Sequence, residues 1–134
     1  MTGAAGGVGS IAVQLAKLAG ATVIGVAGPA RHEWLTRHGV VPVAYGDGVA
    51  DRIRAAAGGR VDVLLDTAGK GYVDLAVDLG VHPDRIDTII DPPAAEKHGA
   101  RFGGDPGTAE VLAELAALVD KGELEVPIAN VYPL

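Results

Sequence analysis

The stretch Gly3-Ala4-Ala5-Gly6-Gly7-Val8-Gly9 constrains this chain more than any other. It is a glycine-rich turn that runs straight into an apolar-periodic segment. Glycines let the backbone reach positive φ, and they let a charged group approach with no Cβ in the way. A helix starting behind them, near Gly9 or Ser10, offers unpaired N–H groups and a positive dipole end to an anion. Ile11, Leu15, Leu18 and Ala19 recur at helical spacing and predict an inward stripe, with Gly20 as the C-terminal cap. Aligned on the G-x-G-x-x-G fingerprint, Ala4 takes the first position, Gly6 the second and Gly9 the third. Such a turn normally follows a buried strand. Only Met1 and Thr2 precede Gly3, so the sequence predicts a domain whose first strand is largely missing.

Strand and helix patterns alternate beyond the turn. Residues 21–27 (ATVIGVA) read as a strand ended by Pro29, and residues 30–38 as a helix closed by Gly39. Residues 41–45 form a short strand despite Pro42. Residues 49–57 form a helix with Ile53 and Ala57 inward. Residues 61–66 (VDVLLD) are the near-continuous apolar run expected of a central parallel strand. A helix over 72–79, a strand over 86–90 and a short strand near 100–102 follow. Asp105-Pro106 then makes an N-cap and N1 pair for a helix to about Lys121, with Val111, Leu112, Leu115, Leu118 and Val119 on one face. The order implies the α/β class: a doubly wound, Rossmann-type parallel sheet with helices on both faces. Residues 1–134 read as one incomplete dinucleotide-binding domain.

Composition narrows the partners. The 134 residues include 20 glycines and 49% hydrophobic residues but only 4% aromatics, so Ala, Val, Leu and Ile must build the core. The net charge is -6 and no basic cluster exists, which argues against nucleic acid. No apolar run approaches the ~18 residues of a membrane span, and a cytoplasmic location is the default expectation. Cysteine is absent, and His32, His38, His82 and His98 lack metal-ligand spacing, so they read as surface residues and no metal site is expected.

These residues resemble the cofactor domain of zinc-independent medium-chain dehydrogenase/reductases, the quinone oxidoreductase-like group. The likeness lies in residues 3–17 (GAAGGVGSIAVQLAK), 21–28 (ATVIGVAG), 43–48 (VAYGDG), 61–69 (VDVLLDTAG) and 126–134 (VPIANVYPL), in the family's order. The resemblance implies NADPH as hydride donor and an activated carbonyl, enone or quinone as acceptor. It also implies a preceding GroES-like domain, which is absent here, and a chain truncated at both ends. Ala5, Gly6, Gly7, Val8 and Gly9 would meet the pyrophosphate.

The strand ending at Ala27 decides between the two nicotinamide cofactors. An acidic side chain there suits a ribose 2′-hydroxyl, whereas a 2′-phosphate calls for a cation. Here Gly28-Pro29-Ala30 follow with no acid, and then Arg31. By resemblance, Arg31 stands where the family places a phosphate-binding lysine, and Tyr45 reaches the same phosphate. NADP is therefore the expected cofactor. Asp66-Thr67-Ala68-Gly69 closes a strand at its carboxyl end, where ligands sit. By resemblance Thr67, Ala68 and Gly69 lie beside the nicotinamide ribose; the Thr67 hydroxyl either faces the ligand or caps the turn.

The leading expectation is an NADPH-binding oxidoreductase module acting on a small carbonyl or quinone substrate, with homo-oligomerisation a further expectation. No catalytic residue is assigned, and the isolated chain is expected to be inactive. The alternative is a non-catalytic nucleotide-binding or interaction remnant of a truncated gene. A short-chain reductase would need Tyr-x-x-x-Lys, but Tyr72 is followed four positions later by Ala76.

Overall fold

A computed structural model describes every residue except Asp105, Ala129 and Leu134. The described residues form two compact units, Met1–Gly104 and the remainder from residue 106 onward.

In the first unit the elements run α1 (Gly7–Leu18), β1 (Ile24–Ala27), α2 (His32–Arg37), β2 (Val41–Ala44), α3 (Val49–Ala56), β3 (Leu64–Asp66), α4 (Tyr72–Asp78), β4 (Ile86–Thr88), α5 (Pro92–His98) and β5 (Arg101–Phe102). Short 3-10 turns at Pro29–Arg31 and Pro83–Arg85 precede α2 and β4. All pairings are parallel. β1 lies on β2 with Ile24 opposite Val41, and β3 on β4 with Leu64 opposite Ile86. β5 follows on β4 with Asp87 opposite Arg101. Pro42 is tolerated because β2 is an edge strand, where a missing N–H need not break a ladder.

Met1 and Thr2 join the two sheets. Thr2 bridges Val26 in parallel and donates its N–H to Leu65 O at 3.1 Å. Val26 N–H donates to Met1 O at 2.8 Å. The resulting order, β2-β1-(Met1–Thr2)-β3-β4-β5, is that of a doubly wound sheet in which a two-residue stub holds the central place. Met1 and Thr2 thus pair with both neighbouring strands.

The stub also explains why two strands are shorter than the sequence predicts. Residues 61–66 reduce to Leu64–Asp66 and residues 21–27 to Ile24–Ala27. Below the stub, residues 21–24 and 61–64 instead line an apolar cleft of about 670 Å³. An apolar run supplies a strand's side chains, but the ladder needs a neighbour at each edge.

Two apolar clusters cover the faces of the sheet. Ala4, Val13, Val23, Ala27, Leu35 and Val40 pack on the side of α1 and α2. Val26, Val43, Ile53, Leu64, Val73 and Ile86 pack with α3, α4 and α5 on the other. Val26 and Ala27 enter different clusters, as the two-residue period of a strand requires. The face of α1 turned inward is Gly9, Ser10, Val13 and Gln14, while Leu18 is half exposed. The predicted stripe of Ile11, Leu15, Leu18 and Ala19 is thus rotated away from the core. The C-terminal expectation holds: Gly20 N–H bonds Lys17 O and Ala21 N–H bonds Ala16 O, the paired bonds of a Schellman cap.

The second unit contains α6 (Ala109–Asp120), capped by the Thr108 hydroxyl, which accepts from Val111 N–H at 3.3 Å. The predicted cap, Asp105, lies outside the described residues. Hydrogen bonds from its own backbone N–H and from the Thr108 side chain hold the Glu110 carboxyl below its ordinary range.

Candidate functional site

The carboxyl ends of β1, β3 and β4 converge on the amino end of α1. In open parallel sheets this is the crevice where ligands bind. The turn Gly3–Gly9 is held closed by Gly6 N–H donating to Gly3 O at 2.9 Å and Ala4 N–H donating to Val26 O at 3.2 Å. Gly6 is the N-cap of α1 and no side chain caps it. The exposed first turn, Gly7 and Val8, therefore presents its N–H groups outward.

Two glycines in this turn are geometrically required. A Cβ on Gly9 would lie 2.7 Å from Gly3 C and 2.9 Å from Ala4 Cα, and closer still to Gly3 O. Gly9 thus lets α1 rest on the turn. Gly3 has φ of 60°, and a Cβ there would overlap Thr67 Oγ1. The tight-turn role that alignment gave to Ala4 belongs to Gly3; Ala4 is buried beneath the turn. A Cβ on Gly6 would lie 3.2 Å from Gly3 O and meet nothing else, so that position is open on its ligand side.

At the end of β1, Gly28 begins the 3-10 turn that carries Arg31, which is exposed. No acidic side chain stands between Ala27 and Arg31. Tyr45, at the end of β2, reaches across to the turn, and its hydroxyl accepts Gly3 N–H at 3.0 Å. Its ring meets Tyr72 edge-on with centroids 6.2 Å apart. Burial, reinforced by Tyr45 and Asp66, pushes the Tyr72 phenol above its ordinary range, so it stays neutral. Arg52, which sequence reasoning did not single out, fixes the loop behind Tyr45. Its guanidinium donates to the carbonyls of Ala44, Tyr45, Gly46 and Asp47 at 2.8–3.3 Å. One arginine on α3 offers no local sequence signal for this.

The loop after β3 is built around Asp66, which is 1% exposed. Its Oδ1 accepts from the N–H groups of Ala68 and Gly69, each at 3.1 Å, and from the Thr2 hydroxyl. Its Oδ2 accepts from the Thr88 hydroxyl at 2.8 Å. Thr67 Oγ1 donates to Thr2 O at 2.9 Å. Through this bond the Thr67 hydroxyl ties its loop to the Met1–Thr2 stub. Thr67, Ala68 and Gly69 thus lie next to the glycine turn, within one hydrogen-bonded array.

The histidines are more engaged than surface residues need be. His98 is largely buried, with Nε2 at 2.7 Å from Asp74 Oδ1, and His32 Nε2 lies 3.1 Å from Ala27 O. Among the described residues no group of three or more His, Cys, Asp or Glu side chains could hold a metal ion. Among them, too, no helix is long and apolar enough to cross a membrane.

The large apolar cleft opens at the opposite ends of the strands. It is a packing gap in line with Met1–Thr2, whereas the polar array and the open helix terminus are at the carboxyl ends.

Known proteins share this fold. The chain is 36% identical over 137 residues to erythronolide synthase EryA2 of Saccharopolyspora erythraea, covering 91% of this chain and 4% of that protein. Its fold matches the quinone oxidoreductase from Coxiella burnetii with a TM-score of 0.76 and 26% identity, over 96% of this chain and 42% of that one. It also matches a polyketide-synthase domain described as an enoyl reductase, with a TM-score of 0.66 and 28% identity, over 97% of this chain and 84% of that one. The chain spans less than half of the oxidoreductase and a small fraction of the synthase. Residues 7–82, more than half of the sequence, match the family of zinc-binding dehydrogenases. The chain belongs to the zinc-binding dehydrogenase family.

Proposed function

We propose that this chain is the cofactor domain of an oxidoreductase, binds NADP in preference to NAD, and presents the reduced cofactor to an activated carbonyl, enone or quinone. The observation that carries the reading is the uncapped amino end of α1 beside Gly6, at the point where the strand order reverses. A pyrophosphate there gains the N–H groups of the first turn and the helix dipole, with no Cβ to displace it. Ala5 to Gly9 would hold it. Arg31 and Tyr45 would hold a 2′-phosphate; the Tyr45 hydroxyl accepts from Gly3 and keeps its own proton to donate. Thr67, Ala68 and Gly69 would border the nicotinamide ribose. A bound nicotinamide supplies the hydride, and the protein supplies orientation and electrostatics.

The reading is tested by thermal denaturation with NADPH, with NADH and with neither. Binding to the native state raises its stability with ligand concentration. NADPH is expected to raise the midpoint more than NADH at equal concentration. Unchanged midpoints with both would refute cofactor binding, and equal shifts would refute the preference. The acceptor is tested separately, by following NADPH oxidation against quinones and enoyl thioesters.

A further inference from the structure

Asp66 is a buried carboxylate whose donors are all neutral, and they come from three different loops. The Thr2 hydroxyl belongs to the segment that enters the glycine turn. Ala68 and Gly69 N–H belong to the loop after β3. The Thr88 hydroxyl ends β4, and its oxygen in turn accepts from Ile90 N–H at 3.3 Å and Asp91 N–H at 3.2 Å. Thr2 Oγ1 also accepts Thr67 N–H at 3.1 Å, so one hydroxyl joins the turn to both the carboxylate and the loop. Turn and loop also meet through the Thr67 hydroxyl and the close approach of Gly3 to Thr67.

A buried ion kept by hydrogen bonds to neutral groups is costly to maintain unless nearly every acceptor site is used. A chain needing only apolar cohesion here would do as well with a leucine. What the carboxylate adds is direction: it fixes three backbone segments relative to one another. Those segments border opposite halves of the proposed cofactor site.

We propose that Asp66, acting through Thr2, is a positioning residue that sets the spacing between the phosphate-binding turn and the nicotinamide-side loop, so that one dinucleotide can engage both. This rests on the cofactor reading given above. Its signature is selective. Losing the spacing weakens a ligand that spans both halves and spares one that occupies only the adenine half. A general loss of folding would weaken both alike.

The test is calorimetric titration of the full chain with NADPH and with adenosine 2′,5′-bisphosphate. Thr2→Val removes the hydroxyl that joins turn and carboxylate. Thr2→Ser keeps it. Asp66→Asn removes the charge and breaks the tie to Thr88, whose hydroxyl oxygen already accepts two N–H groups. Thr2→Val and Asp66→Asn are expected to weaken NADPH about tenfold or more, a loss of roughly 1.4 kcal/mol, and to leave the bisphosphate within about twofold. Thr2→Ser is expected to match the parent with both ligands. Unchanged NADPH affinity in both disruptive variants would overturn the positioning role and leave the cofactor reading standing. Equal loss of both ligands would overturn it too, because Asp66 would then be merely structural. A parent chain that binds neither ligand would overturn the cofactor reading, and the positioning role with it. If Asp66→Asn does not fold, the Thr2→Val and Thr2→Ser pair decides alone.

Discussion

The two ends of the same parallel strands differ sharply. At the carboxyl ends, Thr2, Asp66, Thr67 and Thr88 form a dense hydrogen-bonded array under an open helix terminus. At the amino ends, residues 21–24 and 61–64 face each other across an apolar cleft, and Val63 is 48% exposed. The strands and their covering helices are shared. What differs is the central ladder position, which Met1 and Thr2 fill at one end only. Two residues are enough to order the ligand-facing edge, because they supply the hydrogen-bond partners on which its three loops depend.

That contrast makes the carboxyl end intolerant of change and the amino end forgiving. Gly9→Val should have the largest effect. Its side chain would strike the Gly3–Ala4 backbone, so both fold and binding should suffer, with stability falling by about 3 kcal/mol. Chemical denaturation followed by circular dichroism measures this; a variant as stable as the parent would mean that α1 does not rest on the turn. Gly6→Val separates binding from folding. Its Cβ meets only Gly3 O at 3.2 Å, so stability should change by less than ~1 kcal/mol while NADPH binding is lost. Retained binding at parental affinity would remove the turn from the pyrophosphate site.

Arg31→Ala should weaken NADPH by about 10- to 100-fold and barely alter NADH, since a charge-assisted hydrogen bond contributes roughly 1.5–3 kcal/mol. Equal losses in titrations with the two cofactors would place Arg31 outside the phosphate site.

Val63→Ser should matter least, by less than about 0.5 kcal/mol, because the side chain faces the open cleft. A large loss there would mean that the cleft is packed in solution.

The sequence by itself determined the alternation of strands and helices, the glycine turn at the head of α1, the Gly20 cap and the loop at Thr67–Gly69. Each is written in local chemistry: apolar period, backbone freedom and capping residues. Only the tertiary structure decided which face of α1 turns inward. The close approach of Gly9 to Gly3 and Ala4 fixes that rotation, and it overrides the stripe of larger apolar side chains. The tight-turn glycine likewise proved to be Gly3, because the constraint comes from Thr67, distant in sequence. The run 61–66 looked like a full strand, yet it pairs only from Leu64 to Asp66, since a ladder depends on a neighbour that no local pattern specifies. Asp66 and Arg52 went unassigned for the same reason. Their partners are the backbone groups and hydroxyls of other segments, and those come within reach only when the sheet is assembled.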